Sequence, residues 1–427
     1  MFRKAAFPII IALFLFTSHS SSAEENILSF SDFLKRVAAE NPSLMAARNH
    51  IDEADGQINQ ARRYPNPEIG VEVEKFGGND EFSGTGKLEN SFSISQEVIT
   101  SGKQSKRIAI ARIEKSLAAS EFATEKLLLQ KRAADLWLRV FFLKKLIRIE
   151  EEFVSLIDKS SSAIQRKVEA GELPVIDGTR ALVETAAAKT ELRRMQRELE
   201  TLQFEMASIM GMTGSRISVS DQMPVLCVPE SLESIQIEEI LKNHPMLVNA
   251  RLKTEHARAG HSLAQAETTP DITIEGGIAG ERDGSKHHYF VGLSMPIMIF
   301  DRNQGTLQTK KAGEIFSENM LKQTFLSIKT RFIELLKEIS SLSEELGDAR
   351  TRLVTSAREA FIQVEKAHDQ GESDLLELFD ARRVMLEAEK TALKLESDLM
   401  HNLAEYCLMI DCQGFDECDS KQKEQGQ

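Results

Sequence analysis

Acidic and basic side chains gather at two places where a glycine interrupts a long region of helical composition. The first place, Val168 to Glu184, reads VEAGELPVIDGTRALVE and contains Asp177 and Arg180. The second place, Ala367 to Glu387, reads AHDQGESDLLELFDARRVMLE and contains Glu377, Asp380, Arg382 and Arg383. Carboxylates crowded into a narrow passage attract cations and repel one another, and neighbouring arginines can pair with them. The structural alternative is that the acids cap helix starts, where negative charge is favourable.

Two other polar groups are weaker candidates for chemistry. His287 and His288 suggest a metal-ligand pair, but adjacent residues of a strand point to opposite faces. The Gly-rich stretch GGIAGERDGSK joins two predicted strands, so it lacks the strand-to-helix setting of a phosphate loop. No Ser/His/Asp or Cys/His grouping stands in a setting that suggests catalysis. We therefore predict no enzymatic activity, no resident metal and no cofactor.

Composition and the first residues indicate an exported, folded protein. The chain has 427 residues, of which 41% are hydrophobic, and its net charge of −13 argues against a nucleic-acid partner. Arg3 and Lys4 precede an apolar run that ends in small residues at Ala23, so residues 1–23 are predicted to be a signal peptide. A membrane anchor is the alternative, although the run is shorter than the roughly 20 residues that span a bilayer. Export permits disulfides, and Cys412 with Cys418 is the pair to test first, with free thiols as the alternative.

The mature chain reads as two copies of one unit. The segment Glu40 to Glu74 aligns with Asn243 to Gly277, including their prolines and an Ala-Arg pair. Further along, Gly171 aligns with Gly371. Such internal similarity predicts a repeated structural unit. We assign the first repeat to residues 24–226, the second to 227–412 and a polar tail to 413–427. Each repeat is predicted to run helix, strand, strand, helix, helix.

Each repeat contains two segments with strict alternation of apolar and polar residues. The strands are predicted at about 67–76 and 89–98, and at about 270–280 and 287–296. Alternation puts the apolar side chains on one face and the polar ones on the other. The polar face comprises Glu68, Glu72, Glu74, Ser91, Ser93, Thr273 and Glu275. By itself this pattern is more typical of a half-buried soluble sheet than of a membrane sheet.

The remaining segments predict two long helical hairpins, at about 101–212 and 303–411. In both hairpins, apolar residues recur in alternating steps of four and three positions, which is the seven-residue repeat of coiled coils. The first seam comprises Leu136, Val140, Leu143, Ile147, Val154, Ile157, Ile164 and Val168, with Glu150 and Ser161 in its two skipped turns. The second comprises Phe332, Leu335, Ile339, Leu342, Leu346, Ala349, Leu353 and Ala360. The hairpin tips are predicted at 171–174 and 371–374, where glycine ends one helix.

Four strands with two edges cannot close a barrel within one chain. Closure needs about eight or more strands, so several chains would each have to contribute four. If the apolar face contacts lipid, the Glu and Ser face would line an aqueous lumen.

One motif carries a family resemblance. The segment SMPIMIFDRNQG, Ser294 to Gly305, resembles the strand-to-helix junction of the TolC-like outer-membrane efflux proteins, especially their heavy-metal, CzcC-like branch. NPSLMAAR, ARRYPNPEIGVEVE and SGKQSKR are weaker matches in the expected order. The resemblance covers nearly all of the mature chain.

The resemblance implies a mainly α-helical protein with a membrane β-barrel in the cell outer membrane and a large periplasmic part. It implies a homotrimer that shares a twelve-stranded β-barrel and an α-helical barrel of hairpins. The implied function is the exit duct of a tripartite pump for divalent heavy metals, with a periplasmic adaptor, an inner-membrane resistance-nodulation-division transporter and outer-membrane lipid as partners. The alternatives are a duct for drugs, solvents or type I secretion, and, from another class, a periplasmic coiled-coil adaptor or structural protein.

The resemblance also assigns roles at the hairpin tips. The periplasmic gate would comprise Asp177, Glu377, Asp380, Arg180, Arg382 and Arg383, with ion pairs holding it closed. The adaptor would dock on Gly171, Glu172, Leu173, Gly371, Glu372 and Ser373.

Overall fold

A computed structural model of the chain describes residues 26–75, 88–226, 237–281 and 286–410. The predicted signal peptide, the pair Cys412 and Cys418, and the polar tail lie outside these ranges.

In chain order, each strand pair is preceded by a helix and followed by a helical hairpin. The first half contains β1 (Asn26–Leu28), α1 (Phe30–Glu40), α2 (Pro42–Ala61), β2 (Glu68–Glu74), β3 (Glu89–Val98), α3 (Lys103–Glu169), α4 (Val175–Ile209) and β4 (Ile217–Val219). The second half contains α5 (Ile237–Lys242), α6 (Pro245–Ala266), β5 (Ile272–Glu281), β6 (His287–Ser294), α7 (Gln304–Asp348), a π-helical segment (Ala349–Val354), α8 (Thr355–Asp369) and α9 (Leu375–Ile410).

Both hairpin tips end their first helix in the same way. Gly171 has φ +77°, and its N–H donates to the Val168 carbonyl at 3.0 Å. The N–H of Glu172 donates to the Lys167 carbonyl at 2.9 Å, which completes a Schellman motif. The second tip repeats both bonds, with φ +78° at Gly371. Each first helix therefore ends at a glycine, the residue that adopts this left-handed conformation without a steric cost.

The first predicted seam is confirmed, and the second is wrong beyond Ala349. In α3 the seam residues are buried or half-buried, including Glu150 and Ser161. In the second hairpin, Leu353 is 45% exposed, and Ala357 and Phe361 occupy the buried positions instead. The π-helical segment lies between these regions. A π turn adds one residue, which rotates the following helix and moves the seam by one position.

The main core lies where α1, α3, α4, α7 and α9 meet beside the two-stranded parallel sheet of β1 and β4. Trp137 is fully buried at its centre, stacked on Phe141 at 5.2 Å between ring centroids and edge-on to Phe30 at 5.3 Å. The indole N–H donates to the Leu28 carbonyl at 3.2 Å, which fixes β1 against α3. In the part of the chain that the structure describes, no helix is both apolar and long enough to cross a membrane.

The second sheet is antiparallel in the order β2-β3-β5-β6, so β2 and β6 are its edges. Its register places all seven predicted polar residues on one face, since Glu72 pairs with Ser91 and Glu275 with Ser95. The opposite face is apolar and largely exposed in the single chain. It carries Ile69, Val71, Val73, Phe92, Ile94, Ile274, Ile278, Tyr289, Val291 and Leu293.

Candidate gate at the hairpin tips

The two hairpin tips lie side by side, held by an apolar contact. Phe379 of α9 packs into a cluster formed by Ile157 and Ile164 of α3 with Ala181 of α4. A pocket of about 70 Å³ opens beside this contact. Its lining residues are Ile164, Leu173, Asp177, Arg180, Ala181, Glu184, Asp374 and Phe379. The fold therefore brings charged side chains of both tips to one place, although they are far apart in sequence.

Asp177 and Arg180 lie in the first turns of α4. The Asp177 N–H donates to the Pro174 carbonyl at 3.1 Å, which is the first turn of this helix. Within the described residues, neither side chain makes a hydrogen bond or an ion pair, and Arg180 is exposed. Both charges are therefore available to a further partner.

The start of α9 is capped by an acid that the sequence interpretation missed. Asp374 accepts a hydrogen bond from the Glu377 N–H at 2.8 Å, and the Ser373 hydroxyl donates to the Glu377 carboxylate at 2.6 Å. Glu377 therefore has the geometry of a capping position, the alternative that the sequence left open. The spacing Asp374-x-x-Glu377 is a capping-box pattern and could have identified this role.

Asp380 and Arg383 form an ion pair one turn further along α9. Hydrogen bonding to Asp380, together with the charges of Glu184 on α4 and Glu387, raises the pKa of Arg383. Both side chains are well exposed, and solvent screens such a surface pair, so it orients charge more than it stabilises the fold.

Arg382 points away from the acids. Its guanidinium lies over the Phe361 ring at 5.0 Å from the centroid, and one nitrogen is 3.8 Å from the Met385 sulfur. In the described part of the chain it makes no ion pair. A cation–π contact of this kind positions Arg382 between helices.

The six predicted docking residues differ in exposure. Gly171, Glu172, Gly371 and Glu372 are exposed at the ends of the tips. Leu173 is half-buried against the apolar cluster of Ile157 and Ile164. Ser373 is half-buried as well, with its hydroxyl engaged at the cap of α9.

Polar residues of the sheet form a second charged region. The register aligns Glu74, Glu89 and Glu281 in one row across three strands. Lys75 pairs with Glu89, and the Nε2 atom of His288 in β6 lies 3.8 Å from the Glu89 carboxylate. Across the described residues, no group of three or more His, Cys, Asp or Glu side chains is arranged to hold a metal ion.

The family model described as outer membrane efflux protein matches residues 33–212 and 236–405, which include both hairpins and the four-stranded sheet. The chain belongs to this family. It is therefore an outer-membrane efflux channel with a large periplasmic part, in a family of channel proteins. The family and the location predicted from the sequence are confirmed.

Three known proteins illustrate the similarity. The cobalt-zinc-cadmium resistance protein CzcC of Cupriavidus metallidurans is 25% identical over 84% of this chain and 84% of its own length. The nickel-cobalt-cadmium resistance protein NccC of Alcaligenes xylosoxydans xylosoxydans is 23% identical over 69% of this chain and 66% of its own. The solved outer-membrane channel OprN has a TM-score of 0.76 at 17% identity, covering 90% of each chain. The similarity within the family is to its heavy-metal branch, and the mainly helical fold is that of these channels.

Proposed function

We propose that this efflux channel is the exit duct of a tripartite pump for divalent heavy-metal cations. It would act as a homotrimer with a periplasmic adaptor and an inner-membrane transporter of the resistance-nodulation-division type. The observation that carries the substrate class is the similarity to two relatives whose names specify cobalt, cadmium, zinc and nickel resistance. The negative net charge and the acidic tip pocket are consistent with a cationic cargo.

The trimer is supported by what one chain leaves incomplete. The four-stranded sheet has two open edges and an exposed apolar face that includes Val291 at 86% exposure. Open edges are not tolerated in lipid, and three copies would supply a closed barrel of twelve strands. The polar face of the β2-β3-β5-β6 sheet in each of the three copies would then line the lumen. The two repeats, 24–226 and 227–412, would be the two quasi-equivalent parts of each subunit.

The gate is proposed at the tip pocket. Among the residues that the structure describes, Asp177 and Arg180 have no polar partner, so they are available to pair with a neighbouring copy. Asp374 joins the predicted set, since it lines the same pocket, and the Asp380–Arg383 pair lies one turn away. Three copies would bring these carboxylates into a ring, where mutual repulsion opposes closure and cations relieve it.

Growth of a deletion strain tests the function. Cells lacking the channel are compared with cells that carry it on a plasmid, across cobalt, zinc, cadmium, nickel, copper and several drugs. We expect the deletion to lower tolerance to one or more of the divalent metals and the plasmid to restore it. Unchanged metal tolerance with lowered drug tolerance would overturn the metal assignment and favour drug efflux. Fractionation of the protein away from the outer membrane would contradict the duct itself.

A further inference from the structure

A buried ion pair joins the two halves of the chain where the first hairpin begins. The Lys103 ammonium lies 2.8 Å from the Asp271 carboxylate, and the lysine side chain is only 5% exposed. The N–H of Thr100 donates to the same carboxylate at 2.7 Å. Asp271 directly precedes β5, and Lys103 is the first residue of α3. The junction after β3 is thereby fixed to the beginning of the next strand pair.

The junctions after β3 and after β6 each bind the helix that precedes their own strand pair. Gln104 of α3 donates to the carbonyl of Ala61 in α2 at 2.7 Å, and Asn303 donates to the carbonyl of Ala264 in α6 at 3.2 Å. Both hairpins begin after a residue in the left-handed conformation, Gly102 at φ +67° and Asn303 at φ +60°. The second hairpin therefore starts against α6 as the first hairpin starts against α2.

On its other side, the second junction is exposed to solvent in the single chain. Phe300 is 92% exposed, whereas Ile99 at the matching place in the first junction is half-buried. Arg302 is the one cation in residues 295–305, is exposed, and forms no ion pair with the described residues. Strand β6 beside it is a sheet edge. Among the described residues, no acid pairs with Arg302 at the second junction as Asp271 pairs with Lys103 at the first.

The residue that corresponds to Asp271 in the first strand pair is Glu68, which lies at the opposite edge of the sheet. Glu68 follows Pro67 as Asp271 follows Pro270; Glu68 is the first residue of β2, on its polar face, and Asp271 directly precedes β5. Glu68 is exposed, and it has no hydrogen bond or ion pair among the described residues. Within one chain the two edges are separated by three strand spacings of about 4.8 Å each, so Glu68 cannot reach Arg302 of its own chain.

In the proposed trimer, β6 of one copy lies beside β2 of the next, and we propose that Glu68 of this second copy binds Arg302 across that boundary. The contact would link the two copies as the Lys103–Asp271 pair links the two halves of one chain, with Arg302 two residues before Gln304, which begins α7 as Lys103 begins α3. It rests on the oligomeric assembly of the proposed function and specifies which residues close it. The exposed apolar residues Ile297 and Phe300 are then covered by the neighbouring copy, as Ile99 is covered within the chain.

Charge reversal in the full-length channel tests this contact. Arg302→Glu, Glu68→Arg and the double variant are extracted from outer membranes in mild detergent. The ratio of oligomer to monomer is measured by native gels at the temperature where the wild type is half dissociated. We expect each single variant to lower this ratio about tenfold, because charge reversal places two like charges against each other in the contact. The double variant should restore it to within about twofold, since the reversed pair regains complementary charge.

The controls separate this contact from a general charge effect. Glu72→Arg changes a residue on the same strand and face, and Arg302→Glu should not rescue it. If reversal variants fail to accumulate, Arg302→Gln and Glu68→Gln should show a smaller loss in the same direction. Oligomers of wild-type stability in all single variants, or a double variant as unstable as the singles, would overturn the contact while leaving the trimer intact. A wild-type protein that is monomeric throughout would overturn the proposed assembly itself.

Discussion

A buried carboxylate in the first seam gives the sharpest stability prediction. Glu150 is 2% exposed, and the Lys390 ammonium of α9 lies 2.8 Å from it. The approach is not that of a directed hydrogen bond, so charge attraction is the main interaction between these two groups. The pair links the first helix of one hairpin to the last helix of the other. Removing Lys390 would leave a buried negative charge without a counter-ion.

We expect Lys390→Met to lower the free energy of unfolding by about 3 kcal/mol. Breaking one partner of a buried pair costs about 3–5 kcal/mol, and Lys390 retains some solvent contact, which favours the lower end. Replacing both partners, as in Glu150→Leu with Lys390→Met, should restore or exceed wild-type stability, because the double change removes the desolvation cost. The measurement is urea unfolding of the purified channel, followed by circular dichroism of the helices.

Lys394→Met is the matched control, since Lys394 is exposed one turn further along α9 and forms no ion pair with the described residues. It should change the free energy of unfolding by less than about 0.5 kcal/mol. A loss below about 1 kcal/mol for Lys390→Met would refute the reasoning, because Glu150 would then not be a buried uncompensated charge.

Three further predictions concern protonation, the tips and conduction. Burial opposes protonation of His401, but its hydrogen bond to Asp135 at 3.2 Å prevails and raises its pKa. The pair should stabilise the fold below about pH 6.5 and lose this effect as pH rises through the folded-state pKa, so His401→Gln should flatten melting temperature between pH 6 and 9. Gly171→Ala should cost about 1 kcal/mol in a urea titration, since only the backbone resists an added methyl group. In planar bilayers, Asp380→Asn should weaken cation preference more than Glu377→Gln, because it removes a carboxylate and also leaves the Arg383 cation unpaired, whereas the partner of Glu377 is the neutral Ser373 hydroxyl.

Two residues provide contrasts for these tests. Burial lowers the pKa of His244, so its stabilising effect is present above about pH 6.5 and is lost on acidification, opposite in sign to His401. His401→Gln should leave that acid limb unchanged. Gly211→Ala should cost more than Gly171→Ala, because its Cβ would lie 3.2 Å from Pro42 in addition to the strained φ of +75°. Equal losses for both glycine variants would contradict the added cost of the Pro42 contact at Gly211.

Local signals in the sequence predicted the features that depend on neighbours along the chain. The tips follow from glycine in the left-handed conformation, and the faces of the sheet follow from alternation. The seam of α3 follows from its seven-residue repeat, including the polar positions of Glu150 and Ser161. The cap at Asp374 was within reach of the same reasoning and was missed.

Contacts between distant segments were decided by the tertiary structure alone. The sequence located Glu150 in the seam, but only the packing of α9 on α3 supplied Lys390 as its partner. The π-helical segment moved the second seam because an added residue changes the rotation of a helix without leaving a composition signal. The contact of Arg382 with the Phe361 ring likewise depends on how α9 packs against α8. By itself, the sequence determined the turns, the strand faces and the family, which depend on local pattern, whereas side-chain pairing between helices depends on how those helices meet in space.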